Sequence, residues 1–589
     1  MPRNKVLEKA KVSMPSGRNA FDLSQVRNFT AMAGKIELAY AQPFIAGTKG
    51  KISRKCFTRT ADVVSPAFHR VTEHFDFFVV PIHSLWRQWE NWKLNINDLQ
   101  DTFSVPFNAS SGMTGSPDLT LPADCPRLDF DKLLDNLGYL TGTSFNVFSQ
   151  DEKCRLSNDV IRLCDQLRYS EYAPCFGDGS TPVVENILMA AAYQKCYFDH
   201  YRRTDYESNN PYAYNLDWLY DGTHNGLLAP SVSAPTSQDC YVARELFKIR
   251  RVNYRNDYFM NIYPGLNYVA SIPGGANWSV PSNLAGEGTG QYSGRAVVSN
   301  TSSMAMISSG GSNNMRSFTA QSVRAMFALD KLMRASAYAP KHVRDQYKAL
   351  YGVEGVEDFD MRSERIGSFQ SDVNFVEVTN MAQSNSYNLG DLGAKGLGGD
   401  DKSEFIDFYC KYDSIVIGLN YLLPRAVYDN YSIHPWNTKL LREDFYVKAF
   451  ENLGLRPFYF YNVDTTVPSM FGNVLGWTVP NFEYKILPDL NFGEFKEFFP
   501  FVYHTGGAPS IISTQNQLYS FVPHSGTELH NTITGISAES FKVAPQDLDS
   551  LFAVQVDPTQ PLGYYQFYGS MRIICLVVAP MSVHGQPSL

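Results

Sequence analysis

The sequence predicts a mainly β protein: one antiparallel core of the sandwich or barrel kind, carrying large insertions. Three observations lead there. Short apolar and aromatic runs cut by Pro and Gly fill residues 35–80 and return over 410–580, as strands of such folds do. Helical patterning is confined to the stretch between them, about 81–409. No fixed period recurs, which excludes repeat architectures. Length alone would suit roughly four domains, but strands that bracket a helical, loop-rich middle are better read as one β core. Jelly rolls behave this way, because their Greek-key crossings leave long loops at the ends.

Taken in order, residues 1–20 lack periodicity and read as an arm, leaving 21–589 as a single domain. Between Lys35 and Thr60, β-rich stretches alternate with Pro43, Gly47 and Gly50. Val71 to Val80 is a strand with Val71, Phe75, Phe77 and Val79 on one face. Pro81 ends it and suits the first turn of a helix. Trp86, Trp89 and Trp92 form one stripe of that short helix, facing a core or an interface. Residues 100–125 are loop-like. Residues 185–203 read as a helix rich in Ala, Leu and Met, whose basic end suits the C-terminal dipole. Residues 204–240 are irregular, with Asn209-Asn210-Pro211 as a breaker.

Residues 264–317 mark the main shift in composition: 9 Gly, 11 Ser and 6 Asn, with only Glu287, Arg295 and Arg316 charged. Such a segment cannot bury a core of its own. Helical patterning returns at 321–338, where Val323, Met326, Phe327, Leu329, Leu332 and Met333 make one apolar face. A second helix, roughly 341–350, follows Pro340. Ser414 to Leu423 is a buried strand, and further runs lie at 457–463, 482–487, 551–556 and 568–578.

Composition narrows the function. Charged residues are 19%, against roughly 25% in soluble domains. Aromatics reach 14%, with 39 Phe and 35 Tyr but 7 Trp. Interfaces are enriched in Tyr, Phe and Met and depleted in charge, so these numbers suggest an assembly subunit. Carbohydrate-binding β proteins share the bias. A β-sandwich carbohydrate-binding protein or glycoside hydrolase is therefore the competing reading, although it predicts a signal peptide and exposed Trp platforms. The N-terminus has no apolar signal region, and no apolar run approaches the ~20 residues of a membrane span. The nine scattered cysteines, with no C-x-x-C pair, read as reduced thiols. The net charge is −8, yet residues 1–18 hold Arg3, Lys5, Lys9, Lys11 and Arg18 against Glu8 alone. That stretch is either a solvated, frayed terminus or a basic arm for a polyanion.

Catalytic patterns are absent: there is no H-E-x-x-H, G-x-S-x-G or Walker loop. Gly47-Thr48-Lys49-Gly50-Lys51 lacks the upstream Gly and the following Ser/Thr of a phosphate loop, and Gln291 breaks a G-x-G-x-x-G at Gly286. Gly390 to Gly399, followed by Asp400 and Asp401, is either a metal or phosphate loop or a flexible connector between strands. His69, His74 and His83 lack ligand spacing. The reading is a non-enzymatic protein with no catalytic residue, metal or cofactor.

Several segments, in order, resemble the major capsid proteins of microviruses, the small icosahedral phages with single-stranded DNA genomes. They are Arg18-Asn19, Phe21-Asp22-Leu23-Ser24, Phe57-Thr58-Arg59-Thr60 and Asp76 to Pro81 with Leu85-Trp86. The helix from Tyr193-Gln194-Lys195 to Tyr201-Arg202 follows, then Asn210-Pro211, Tyr214-Asn215 and Asp257-Tyr258-Phe259. Leu548 to Phe552 and Pro580 to Val583, with Gly585 and Pro587, complete the series. The likeness is nearest to gokushovirus-like and related gut lineages. Arg365-Ile366-Gly367-Ser368, Gly476-Trp477-Thr478 and Glu483-Tyr484-Lys485 depart from the family's usual turns.

The resemblance implies an eight-stranded antiparallel jelly roll with large loop and helix insertions. It implies sixty copies in a T=1 shell around a circular single-stranded DNA genome, assembled in the host bacterial cytoplasm. The implied partners are further copies of the chain, the DNA, a small basic DNA-packaging protein, a minor capsid or pilot protein and a host cell-surface receptor, without membrane insertion. Arg3, Lys5, Lys9, Lys11 and Arg18 are then the candidate DNA contacts. Loop 264–317, with Asn277, Trp278, Asn283, Tyr292, Asn313 and Asn314, is the candidate host-facing projection; the alternative is an internal or interface loop.

Overall fold

Ten stretches with strand-like alternation join into one sheet. They are β1 (Asn19–Asp22), β2 (Gln25–Ala31), β3 (Glu37–Phe44), β4 (Lys49–Thr60), β5 (Val71–Pro81), β6 (Glu364–Thr379), β7 (Leu392–Asp400), β8 (Ile406–Tyr409), β9 (Ser414–Pro424) and β10 (Phe567–Ala579). The computed structural model describes residues 17–63, 70–95, 125–129, 150–169, 184–220, 245–263, 342–353, 361–379, 392–400, 404–429, 432–448, 454–463, 474–494 and 565–583, with isolated positions within 324–340 and 451–552.

The strand order is β1–β10–β4–β7–β6–β5–β9–β3, with β8 alongside β4 and β2 alongside β10, and every pair in this sheet is antiparallel. The expected mainly β, antiparallel architecture is present. The sheet has ten strands where eight were expected; β1 and β8, four residues each, are the two short ones.

The sheet curls until strands from its two ends meet. Tyr40 of β3 reaches Cys575 of β10, and the Phe44 and Phe408 rings of β3 and β8 lie 5.5 Å apart. Its concave side is filled by one face of each strand: Tyr40, Ile52, Cys56, Phe75, Phe77, Val79, Phe369, Met571 and Ile573. The opposite face of β5 and β9, with Phe78, Val80, Ile415, Ile417 and Leu419, lies under a second apolar core. That core is built from Trp86, α2 (Gln150–Leu167), α3 (Leu188–Cys196) and residues 211–219 and 246–262; before it come α1 (Trp89–Lys93), and after it α4 (Val343–Tyr351). With both faces covered, β9 is buried along its whole length, as its continuous apolar run predicted. β5 was expected to bury one face; from Phe75 to Val80 it buries both.

Local expectations fared unevenly. Trp86 is buried, and the rings of Trp89 and Trp92 pack against it edge-on and tilted, at 6.4 and 5.6 Å, as a core stripe. The helix expected over 185–203 starts only at Leu188, because Val184–Asn186 pairs as a strand with Arg127–Asp129. It ends in one π turn, Tyr197–Tyr201. The second helix after Pro340 runs Val343–Tyr351 and stops at Gly352, whose φ of +68° gives the left-handed cap. Phe327, expected on an apolar face, is 70% exposed.

The glycine-rich run expected to be a connector is itself strand β7. A Cβ at Gly398 would lie 2.8 Å from Val373, and one at Gly399 would lie 2.9 Å from the Cys56 carbonyl, so glycine lets β7 fit between β6 and β4. Residues 482–487 are not a strand; Phe482–Tyr484 forms a 3-10 turn entered from Asn481 at φ +54°. Asn19 and Ala20, assigned to the arm, pair with Ala579 and Val578. Cys56, Cys125, Cys164, Cys196, Cys410 and Cys575 are not joined in disulfides. Among the described residues, no helix is long and apolar enough to cross a membrane.

Candidate functional site

The outer side of the sheet is covered over β5 and β9 but bare over β10, β4 and their neighbours. Period-2 alternation in KGKISRKCFTRT sends Lys49, Lys51, Lys55, Phe57 and Arg59 outward, while Ile52, Cys56 and Thr58 point in. The partner positions on β10 follow from the register: Val578 faces Lys49, Leu576 faces Lys51, Arg572 faces Lys55, Ser570 faces Phe57 and Tyr568 faces Arg59. Leu397 of β7 also lies opposite Arg59, and Tyr409 of β8 lies opposite Lys49.

The result is an exposed face of mixed basic and aromatic character. Phe57 is 55% exposed and Tyr409 51%. The outward positions of β1, β2, β4, β7, β8 and β10 include six cations, Lys49, Lys51, Lys55, Arg59, Lys395 and Arg572, against the carboxylates Asp22 and Asp407. Asp407 lies 3.5 Å from Lys51, and Asp62, beyond β4, lies 3.0 Å from Lys395. Both pairs are solvent-exposed and worth about 1 kcal/mol or less. Hydrogen bonds donated by the Ser24 hydroxyl and backbone N–H hold the Asp22 carboxyl below the usual carboxylate range. Lys49 Nζ sits 5.5 Å from the Tyr409 ring centroid.

Arg54 is the one inward cation of β4. Its guanidinium lies 3.9 Å from the Phe75 ring centroid and faces Glu73. Glu73 accepts from the Thr58 hydroxyl at 3.0 Å and from the Ser371 hydroxyl at 3.3 Å. Burial pushes the Glu73 carboxyl up, and the guanidinium opposes that shift. This buried pair ties β4, β5 and β6 together and is closed to solvent, so it serves the fold.

A second surface lies at residues 433–447 and 484–492. Leu440 is 86% exposed, Leu487 74%, Leu441 65% and Phe492 62%, with Trp436, Tyr446 and Tyr484 about half exposed. Trp436 holds the two segments together through Tyr484 at 5.6 Å. Beneath it, the buried Lys439 ammonium pairs with Glu483 and lies 4.9 Å from the Tyr484 ring centroid. The charges of that pair neutralise one another. At roughly 200 Å² per large side chain, its exposed part is on the order of 800 Å². That exceeds the roughly 300–600 Å² of the largest patch on a typical monomer and matches the ~800 Å² each partner gives to a stable interface.

Of the residues predicted to contact DNA, Arg18 alone is described. It is exposed, and its Nη2 lies 3.8 Å from where a Cβ on Gly47 would stand, at the turn that leads into Lys49. Arg18 thus adjoins the basic end of the bare face. Arg3, Lys5, Lys9 and Lys11 lie outside the described residues, as do Asn277, Trp278, Asn283, Tyr292, Asn313 and Asn314. Sequence reading missed the face itself. The alternation of Lys49 to Arg59 was visible, but its junction with Tyr568 and Arg572, more than 500 residues away, was not.

No curated protein matches the chain. Residues 11–149, which include β1 to β5, match the family described as capsid protein (F protein), so this part of the chain is similar to the microvirus major capsid proteins.

Proposed function

We propose that this chain is the major subunit of a T=1 icosahedral phage shell, sixty copies enclosing a circular single-stranded DNA genome. The family match supports a structural capsid protein that self-assembles and forms part of the virion. The observation that carries the finer reading is the exposed apolar patch around Leu440 and Leu487, of a size one shell contact needs. Closed icosahedral symmetry requires several different self-contacts on each subunit. The ten-stranded sheet would then be a jelly roll elaborated at its edges, and the shell would assemble in the host cytoplasm by mass action, without turnover.

Sixty copies at −8 each total −480, the wrong sign for neutralising a genome. DNA contact in this reading falls to local basic surface, to the arm residues Arg3, Lys5, Lys9, Lys11 and Arg18, and to a small basic packaging protein. Loop 264–317 is the host-facing projection in the same reading, and protease access to it on intact particles tests that assignment. A pilot protein and a receptor complete the expected partners. Electron microscopy with sedimentation of the purified chain tests the shell: closed particles are expected, and a 66.3 kDa monomer under all assembly conditions would overturn the proposal.

A further inference from the structure

We propose that the bare outer face of β10, β4, β7 and β8 binds single-stranded nucleic acid. Phe57, Tyr568 and Tyr409 stack on unpaired bases, and Lys55, Arg59 and Arg572 hold the phosphates. Surfaces that take single strands without sequence preference combine a cationic track with exposed rings, because every base has a π-face. Both features are present here on one sheet face.

The register sets the spacing. Tyr568 lies diagonal to Phe57 across the β10–β4 pair, one step from Ser570, the direct partner of Phe57. Such diagonal neighbours are about 7–8 Å apart, within reach of consecutive unstacked nucleotides. Arg59 stands directly beside Tyr568 and two residues from Phe57, placed to meet the phosphate between two stacked bases.

A second observation points to the same ligand. Arg572 and Lys55 stand directly opposite one another across β10 and β4. A polyanion laid along the pair meets both cations at once. The rings select for a single strand, since a duplex keeps its base faces stacked inside.

The binding chemistry stands on the face alone; only the identification of the strand as the genome rests on the capsid reading. The test uses the full-length chain and fluorescence anisotropy with labelled oligothymidine, oligouridine and a duplex, over a range of salt. Single strands are expected to bind more tightly than the duplex. Phe57→Leu or Tyr568→Leu, which keep an apolar side chain but remove the ring, should weaken single-strand binding about fivefold to a hundredfold. Lys55→Gln or Arg572→Gln should lower the slope of log affinity against log salt by about 0.7 each. Tyr351→Leu, at an exposed ring on α4, should change nothing. Phe57→Trp should retain binding and guards against a folding artefact.

Absent binding by the parent chain, equal affinity for the duplex, or Phe57→Leu and Tyr568→Leu variants that bind as the parent does would overturn the assignment. Particle formation is scored separately on the same samples. Variants that form closed shells and bind strands normally refute the face and leave the capsid reading intact. A parent chain that binds strands but never forms particles refutes the capsid reading and leaves the face intact.

Discussion

Acid should loosen this subunit through three half-buried histidines, and His200 gives the sharpest test. Its ring sits 4.7 Å from that of Phe78, and Nε2 lies 2.8 Å from the Ser363 carbonyl oxygen, to which it donates. Burial, reinforced by the Arg362 and Arg365 guanidiniums and opposed by Asp199, takes its pKa down to about 4. His342 falls to about 4 through burial with Arg362 and Arg202 nearby, opposed by Asp199 and Asp345. His74 falls to about 4 through burial and Arg255, whose Nη2 is 3.2 Å from the ring nitrogen, with Asp76 and Asp372 opposing.

A depressed histidine pKa means the folded state resists a proton that the unfolded chain accepts. The stabilisation is complete above about pH 6.5 and is lost as pH falls toward 4. A fall from 6.5 to about 4 is worth about 3 kcal/mol at ~1.36 kcal/mol per pH unit, and partial solvent contact lowers this to about 2 kcal/mol for each ring. Three rings together approach the whole stability of an ordinary domain, about 5–15 kcal/mol. The assay is denaturant unfolding of the full chain at a series of pH values, for the parent and for His200→Gln. The variant should be somewhat weaker at neutral pH, with a shallower acid limb, by up to about 1.4 kcal/mol per pH unit. Parallel curves for the two proteins over that window would refute the assignment of His200 to the acid response.

Three further outcomes follow from the geometry. Glu73→Leu should cost about 3–5 kcal/mol by leaving the Arg54 cation buried without its carboxylate, and adding Arg54→Met should restore most of it; a urea-denaturation cycle measures both, and no recovery in the pair would refute the coupling. Gly50→Ala should cost about 1–3 kcal/mol, because the new Cβ would lie 2.4 Å from the Phe408 ring and 2.8 Å from Val577; an unchanged thermal midpoint would mean that β8 can shift away from β4 freely. Leu440→Asp with Leu487→Asp should leave the melting of the free chain unchanged and abolish particles seen by light scattering; normal particles would remove the patch from the set of shell contacts.

What the sequence disclosed follows from the range of the forces involved. β9 was legible because a strand covered on both faces needs a continuous apolar run, and SIVIGLNYLL has no other economical fate. β5 was legible through alternation, β10 as an apolar run at 568–578 and α4 as the helix that follows Pro340. β7 was not, because its glycines answer to Val373 and the Cys56 carbonyl on the two neighbouring strands, not to the local chain. The same holds for Arg54, which alternation places inward with Ile52 and Cys56 but whose Glu73 partner lies on another strand. The candidate face failed for a related reason. Half of it was read as a strand in 35–60 and half as a run at 568–578, and register alone makes them one surface.

That register also changes what the net charge means. A chain at −8 is a poor nucleic-acid binder on average. The curled sheet separates its outer side into two regions, however. Over β5 and β9 the outer positions are Phe78, Val80, Ile415 and Ile417, covered by the helical layer. Over β4 and β10 they include the exposed Lys51, Arg59 and Arg572. At physiological salt the Debye length is about 8 Å, so a strand lying on the bare region responds to those cations and hardly at all to acids elsewhere on the chain. Arg18 continues this region toward the arm, since β1 begins at Asn19, beside the ends of β10 and β4. Lys11 lies seven residues before Arg18 in the sequence. Removing residues 2–11 should then lower the salt dependence of single-strand binding without abolishing it, whereas complete loss of binding would assign the contact to the arm and leave the sheet face without a role.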